Sequence, residues 1–115
     1  MRGSEQTPNF GLEHTSSMVA RLAEDSLLGA NKPGVVIDCA HGNCLVDGKK
    51  STQRQVEVFR DLTAQIAAGD GDHIRGIMME TFINTKSATD PVVVLSEVVS
   101  DLHLLNAAVV RTRGK

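Results

Sequence analysis

Lys32-Pro33-Gly34-Val35-Val36-Ile37-Asp38-Cys39-Ala40-His41-Gly42-Asn43 is the stretch that decides the fold. A run rich in β-branched residues straight after a proline-glycine turn predicts a buried strand over 35–39. A second apolar run, Ile74-Arg75-Gly76-Ile77-Met78-Met79, follows Gly69-Asp70-Gly71-Asp72 and predicts another over 74–79. Between them Ser51 or Thr52 can cap a helix, and Val56, Phe59, Leu62, Thr63 and Ile66 recur at helical spacing until Gly69 stops it. A helical crossover of that length makes the two strands parallel neighbours in a right-handed βαβ unit.

Working outward, Thr15 or Ser16 precedes Met18, Val19, Leu22 and Ala23, a shorter amphipathic helix that fades into Gly29-Ala30-Asn31-Lys32-Pro33-Gly34. Beyond the second strand, Asp90-Pro91 reads as a cap with proline at the first helical position. Val94, Leu95, Val98, Leu102, Leu105 and Val109 continue the stripe. The expected order is α-β-α-β-α within one domain, 1–115, with loops at 40–50 and 81–90 and no repeat or linker to divide it.

Composition narrows the function classes. The 115 residues carry 12 Lys+Arg against 14 Asp+Glu, and no basic block exceeds Lys49-Lys50, so the charge footprint of a nucleic-acid or anionic-membrane binder is missing. Three Phe without Trp or Tyr give no stacking platform for single strands. No apolar run approaches the roughly 20 residues of a spanning helix, and Met1-Arg2-Gly3-Ser4-Glu5-Gln6 lacks the apolar stretch of a signal peptide. A disulfide between Cys39 and Cys44 would close only a tiny loop, so a reducing, cytoplasmic setting is expected. The length excludes a complete α/β barrel, which takes about 250 residues.

In parallel α/β architectures ligands sit at the carboxyl ends of the strands. There the first strand runs into Asp38-Cys39-Ala40-His41 and the second into Glu80, so His41 and Glu80 can face one mouth. One imidazole with carboxylates from Glu80 and Asp90 suits a divalent ion such as Mn²⁺, Fe²⁺ or Zn²⁺. The same residues also read as a loop histidine, a solvated strand end and a helix cap. Cys39-x-His41-x-x-Cys44 lacks the paired spacing of a structural zinc site, and both thiols read as buried cysteines. His14, His73 and His103 have no partner pattern and read mostly as surface residues; Met78-Met79 reads as strand packing. Arg2-Gly3, Lys49, Lys50 and Arg54 are candidates for phosphate contacts, with solvated charge as the plainer reading of Lys49 and Lys50. There is no Walker loop, no G-x-G-x-x-G and no G-x-S-x-G.

Taken together, these segments resemble the class I 3-deoxy-D-arabino-heptulosonate 7-phosphate (DAHP) synthases. Met1-Arg2-Gly3 with Thr7-Pro8-Asn9-Phe10 is similar to the family's arginine-glycine turn and its T-P-N-Y continuation. Val36-Ile37-Asp38-Cys39-Ala40-His41-Gly42-Asn43 looks like its D-C-S-H-G-N segment. Gln55 and Gln65-Ile66-Ala67-Ala68-Gly69 look like the glutamine and Q-I-A-x-G of the next helix. Gly76-Ile77-Met78-Met79-Glu80 resembles G-x-M-x-E-S, and Lys86-Ser87-Ala88-Thr89-Asp90 resembles K-S-I-T-D. The resemblance covers nearly all of residues 1–90 and loosens after Asp90, where Pro91-Val92-Val93 replaces the usual A-C-I-x-W. Cys44–Lys50 is enlarged, and the connection from Glu80 to Asp90 is shorter than in the family.

The resemblance implies the C-terminal part of a TIM-type (β/α)8 barrel, from the end of its sixth strand to its last helix. It implies condensation of phosphoenolpyruvate with erythrose 4-phosphate, with release of phosphate. It also implies a divalent metal held by a cysteine, a histidine, a glutamate and an aspartate, of which His41, Glu80 and Asp90 match the last three; neither Cys39 nor Cys44 occupies the cysteine position. Arg2 matches an arginine that contacts the phosphoenolpyruvate phosphate. Two strands taken from a closed barrel leave open edges and an uncovered apolar face, so the chain is expected to self-associate, to need a complementary barrel half or to be poorly ordered. The rival expectations are a noncatalytic remnant or assembly subunit, and a metal-independent binding module on the same framework.

Overall fold

The computed structural model describes residues 1–25, 32–80 and 98–103. Helix α1 (Leu12–Ala23) comes first, then strand β1 (Val35–Asp38), a 3₁₀ turn (His41–Cys44), the short strands β2 (Leu45–Val46) and β3 (Lys49–Lys50), helix α2 (Thr52–Ala68) and strand β4 (Ile74–Met78). Residues 98–103 are helical. Two separate two-stranded sheets result among the described residues, β1 with β4 and β2 with β3, and no closed barrel.

β1 and β4 are parallel, pairing Val36 with Gly76, Ile37 with Ile77 and Asp38 with Met78, with an irregularity between Val35 and Val36. The crossover that makes them parallel is α2, bounded as its sequence predicts. The Ser51 side chain accepts a hydrogen bond from the Arg54 amide, and Gly69 takes the left-handed conformation (φ 89°) while its amide bonds back to the Gln65 and Ile66 carbonyls. α2 turns Val58, Phe59 and Leu62 onto Val35, Ile37 and Cys39 to form the core. Met18, Val19 and Leu22 of α1 pack on the rim, as does Val98.

α1 starts earlier than its sequence predicts. Gly11 is the residue before it and offers no side-chain cap. Thr15, read as a possible cap, lies inside the helix, fully buried, and its hydroxyl donates to the Leu12 carbonyl at 3.1 Å. At that place in the helix the amides that follow already have carbonyl partners one turn back, so no orphan amide is left for the Thr15 side chain to cap.

The expected loop at 40–50 is built structure. After the 3₁₀ turn, Leu45 pairs with Lys50 and Val46 with Lys49 across a two-residue connection. Asp47 (φ 50°) and Gly48 (φ 73°) both sit in the left-handed region, which is the geometry of the type I′ hairpin turn that Asp-Gly favours. The expected loop at 81–90 and the Asp90-Pro91 helix start lie outside the described residues.

On the far side of β1, the Met1 amino group donates to the Val36 carbonyl at 2.6 Å and the Asp38 amide donates to the Met1 carbonyl at 2.8 Å. These two bonds follow the parallel-ladder pattern, so β1 has partners on both edges at this point. On the sheet face opposite the core, Val36 is 44% and Met78 56% exposed, while Asp38 on the same face is buried. Met78-Met79 therefore splits: Met79 packs on the core and Met78 faces outward, as strand alternation requires. No helix among the described residues is long and apolar enough to cross a membrane.

Candidate active site

Parallel pairing brings the carboxyl ends of β1 and β4 side by side, and the polar residues that follow them meet there. His41 lies three residues past Asp38, in a left-handed conformation (φ 52°) that is uncommon for a non-glycine residue. The anchor is the Asp38 carboxylate: Oδ2 lies 3.0 Å from His41 Nδ1, while Oδ1 accepts from the Ala40 amide at 2.9 Å. With Nδ1 engaged, the other ring nitrogen faces β4, and His41 Nε2 stands 3.3 Å from Glu80 Oε1. The strand-end expectation for His41 and Glu80 is met.

Glu80 is held through its main chain as well. Gln55 on α2 donates Nε2 to the Glu80 carbonyl at 3.2 Å and accepts the Glu80 amide on Oε1 at 3.0 Å. The second carboxylate oxygen, Oε2, is paired with Lys50 Nζ at 3.0 Å. The result is a row Asp38–His41–Glu80–Lys50 across the strand ends. Asp38, Gln55 and Lys50 were not singled out for these roles by the sequence, although an aspartate ending a strand three residues before a histidine, and Asp-Gly between two apolar-to-basic pairs, are both legible signals.

Arg2 enters from the other side. It lines an open cleft of ≈ 690 Å³ together with Gly3, His41, Gly42 and Lys50. Its position is fixed by the interlock of two turns. The Asn43 amide donates to the Arg2 carbonyl at 3.2 Å, Asn43 Oδ1 accepts from the Asn9 amide at 2.7 Å, and Asn9 Oδ1 accepts from the Gly3 amide at 2.8 Å. Asn43 Nδ2 donates to the Asp38 carbonyl at 2.8 Å. The turns touch backbone to backbone: a Cβ on Gly3 (φ 71°) would fall 2.8 Å from Asn43 Oδ1, and one on Gly42 would strike the main chain of Ser4.

The other candidates separate cleanly. Arg54 lies over the Phe10 ring, 5.6 Å from its centre, and pairs with Glu57 at 2.9 Å, so its charge serves α2 rather than the cleft. Lys49 is exposed, like His14 and His103. His73 departs from the surface reading, since its Nε2 is buried with no hydrogen-bond partner among the described residues. Both cysteines are buried and free. Cys44 Sγ donates to the His41 carbonyl at 3.4 Å. Burial, then the Asp38 carboxylate and Cys44, push the Cys39 thiol up to about 12, which keeps it protonated and unreactive at neutral pH. Asp90 lies outside the described residues, and among those described no three His, Cys, Asp or Glu side chains form a ready-made metal cage.

Comparison with known proteins identifies the family. Residues 1–103 match the DAHP synthetase I family. The Trp-sensitive phospho-2-dehydro-3-deoxyheptonate aldolase of Enterobacter agglomerans is 36% identical over 95% of this chain and 32% of its own length. The tyrosine-inhibited enzyme of that name from Schizosaccharomyces pombe is 32% identical over 80% of this chain and 22% of its own. The Tyr-sensitive enzyme of Enterobacter agglomerans is 36% identical over 73% and 35%. The chain thus spans between about a fifth and about a third of these relatives. With the match running through every segment that builds the cleft, the chain belongs to the DAHP synthetase I family.

Proposed function

We propose that this chain supplies one side of the active site of a 3-deoxy-7-phosphoheptulonate synthase. In that reaction phosphoenolpyruvate and one water join erythrose 4-phosphate: a new carbon–carbon bond forms to the aldehyde carbon, the enol-ester phosphate leaves as inorganic phosphate, and this is the first step of the shikimate route to aromatic amino acids. The observation that carries the reading is the Asp38–His41–Glu80 row at the ends of two parallel strands, opening on the cleft lined by Arg2.

The residues fit a divalent ion. A histidine ligand characteristically gives its second ring nitrogen to a carboxylate, as His41 does to Asp38. Two donors each about 2.1 Å from one ion stand about 3.0–3.4 Å apart at the usual bond angles, and His41 Nε2 and Glu80 Oε1 are 3.3 Å apart. His41 and Glu80 would hold the ion, with Asp90 as the third ligand that the resemblance implies and a cysteine from outside this chain as the fourth; Mn²⁺, Fe²⁺ and Zn²⁺ all suit such a set. When bound, such an ion supplies Lewis acidity toward an aldehyde oxygen. The chain's own residues do the rest: Asp38 fixes the tautomer and aim of His41, Gln55 fixes the main chain of Glu80, and Arg2 presents a guanidinium for the phosphate of phosphoenolpyruvate.

The parallel β1–β4 pair, its α2 crossover and the Met1 bonds on the far edge of β1 support reading residues 1–115 as a single partial domain, the last part of a (β/α)8 barrel. Its setting is cytoplasmic. The exposed Val36 and Met78 favour a partner on that face of the sheet, a complementary barrel half or a second copy. The same face favours a second reading, an assembly subunit without activity of its own. The test is product formation from both substrates with Mn²⁺, for the purified chain at high concentration, alone and mixed with the remaining part of a family member. Activity lost in His41→Ala supports the enzyme reading; none in either arrangement leaves the assembly subunit.

A further inference from the structure

We propose that Lys50 is a built-in counter-cation of the site, one that steadies the Glu80 carboxylate and competes with a divalent ion for it. The proposal rests on His41 and Glu80 being cation ligands, and it concerns the enlarged Cys44–Lys50 segment, which the family resemblance leaves unexplained.

The segment is a short β-hairpin. Its Asp47-Gly48 turn has both residues in the left-handed region, and the β2–β3 ladder fixes Lys50 opposite Leu45. Strand alternation sends the neighbouring Lys49 to the other face. Lys50 Nζ meets Glu80 Oε2 at 3.0 Å while Oε1 is left toward His41 at 3.3 Å, so the two carboxylate oxygens are divided between an ammonium and an imidazole. An ammonium has donors only and cannot ligate a metal. It gives Glu80 a positive partner, and it stands within a few ångströms of any ion bound at Oε1. The repulsion between this charge and a divalent ion a few ångströms away, reduced by ionic screening, corresponds to about a tenfold change in ion affinity.

The test titrates Mn²⁺ into the full chain and follows paramagnetic broadening of the His41 ring-proton signals, assigned by their loss in His41→Ala. Lys50→Met is expected to lower the Mn²⁺ concentration at half-broadening about tenfold. Lys50→Arg, which keeps the charge, and Lys49→Met, which removes a charge from the opposite face, are expected to stay within twofold of the parent. Unchanged or weaker Mn²⁺ binding in Lys50→Met overturns the proposal while the ligand reading stands. An equal gain in Lys49→Met also overturns it, since the effect would then be one of general charge. No broadening in either the parent or Lys50→Met removes the ligand reading and the counter-cation with it.

Discussion

Replacing Asn43 should destabilise the fold more than any other single truncation in the 3₁₀ turn, because one buried amide joins three segments. Asn43 is 1% exposed, donates to the Asp38 carbonyl at 2.8 Å and accepts from the Asn9 amide at 2.7 Å. Asn43→Ala strands both partners in the fold. An unmade hydrogen bond to a buried group costs about 1–3 kcal/mol; taking the lower part of that range for the partly buried Asn9 amide, the sum is about 2–4 kcal/mol. That is a large share of the roughly 5–15 kcal/mol that holds a domain folded. Asn43→Asp sharpens the test. Its carboxyl can still accept from Asn9, but in the ionised form it turns an acceptor toward the Asp38 carbonyl, whereas the protonated form can donate. Burial beside Asp38 raises the pKa of the new group in the folded state, so the folded chain holds that proton more tightly and stability falls as pH rises through the acid range. Urea unfolding followed by circular dichroism, at matched protein concentration and at pH 5 and pH 7, reads both effects. Asn43→Ala within 0.5 kcal/mol of the parent, or Asn43→Asp less destabilised at pH 7 than at pH 5 relative to the parent, would refute this account of the turn.

At His41 the left-handed backbone sets a sign: His41→Gly should be about 1 kcal/mol more stable than His41→Ala, since only alanine meets the Cβ penalty at φ 52°, and equal stabilities in the same urea assay would show that the turn relaxes instead. Cys39 holds its proton to about 12 in the fold against an ordinary 9.0, so the folded state binds more protons between those values. Its contribution to stability is flat below pH 9 and falls by up to about 1.4 kcal/mol per pH unit above it; Cys39→Ala should remove that part of the slope, and parallel pH profiles would count against the buried thiol. The face carrying Val36 and Met78 should make the purified chain associate with rising concentration in sedimentation velocity, whereas a sharp cooperative melt of monomeric material would contradict it.

The parts of the fold that were legible are those encoded by local chemistry. Ser51 and Gly69 bound α2 because a hydroxyl and a left-handed glycine serve amides and carbonyls within a turn of themselves. β1 and β4 were legible as apolar runs, and the meeting of His41 with Glu80 followed from parallel pairing. The start of α1 was not, because Gly11 stands at the cap position without a side chain to mark it, and Thr15 lies a turn inside the helix. The hairpin was missed although Asp47-Gly48 announces it, since strands of two residues are too short for alternation to register. The role of Asp38 depends on the positive φ of His41, which swings the ring back toward its own strand and is invisible in a residue pattern.

The backbone contact between Gly3 and Gly42 has a consequence for how such a site can vary. A turn held by side chains tolerates change, because a neighbour can be trimmed to make room. Here the obstacle to a methyl group is main chain on the facing turn, which no substitution removes. The two turns, far apart in the chain, are therefore not free to drift separately: an alteration in one is viable only if the other moves bodily with it. The cleft that carries Arg2 on one lip and His41 on the other is, in this steric sense, a single part.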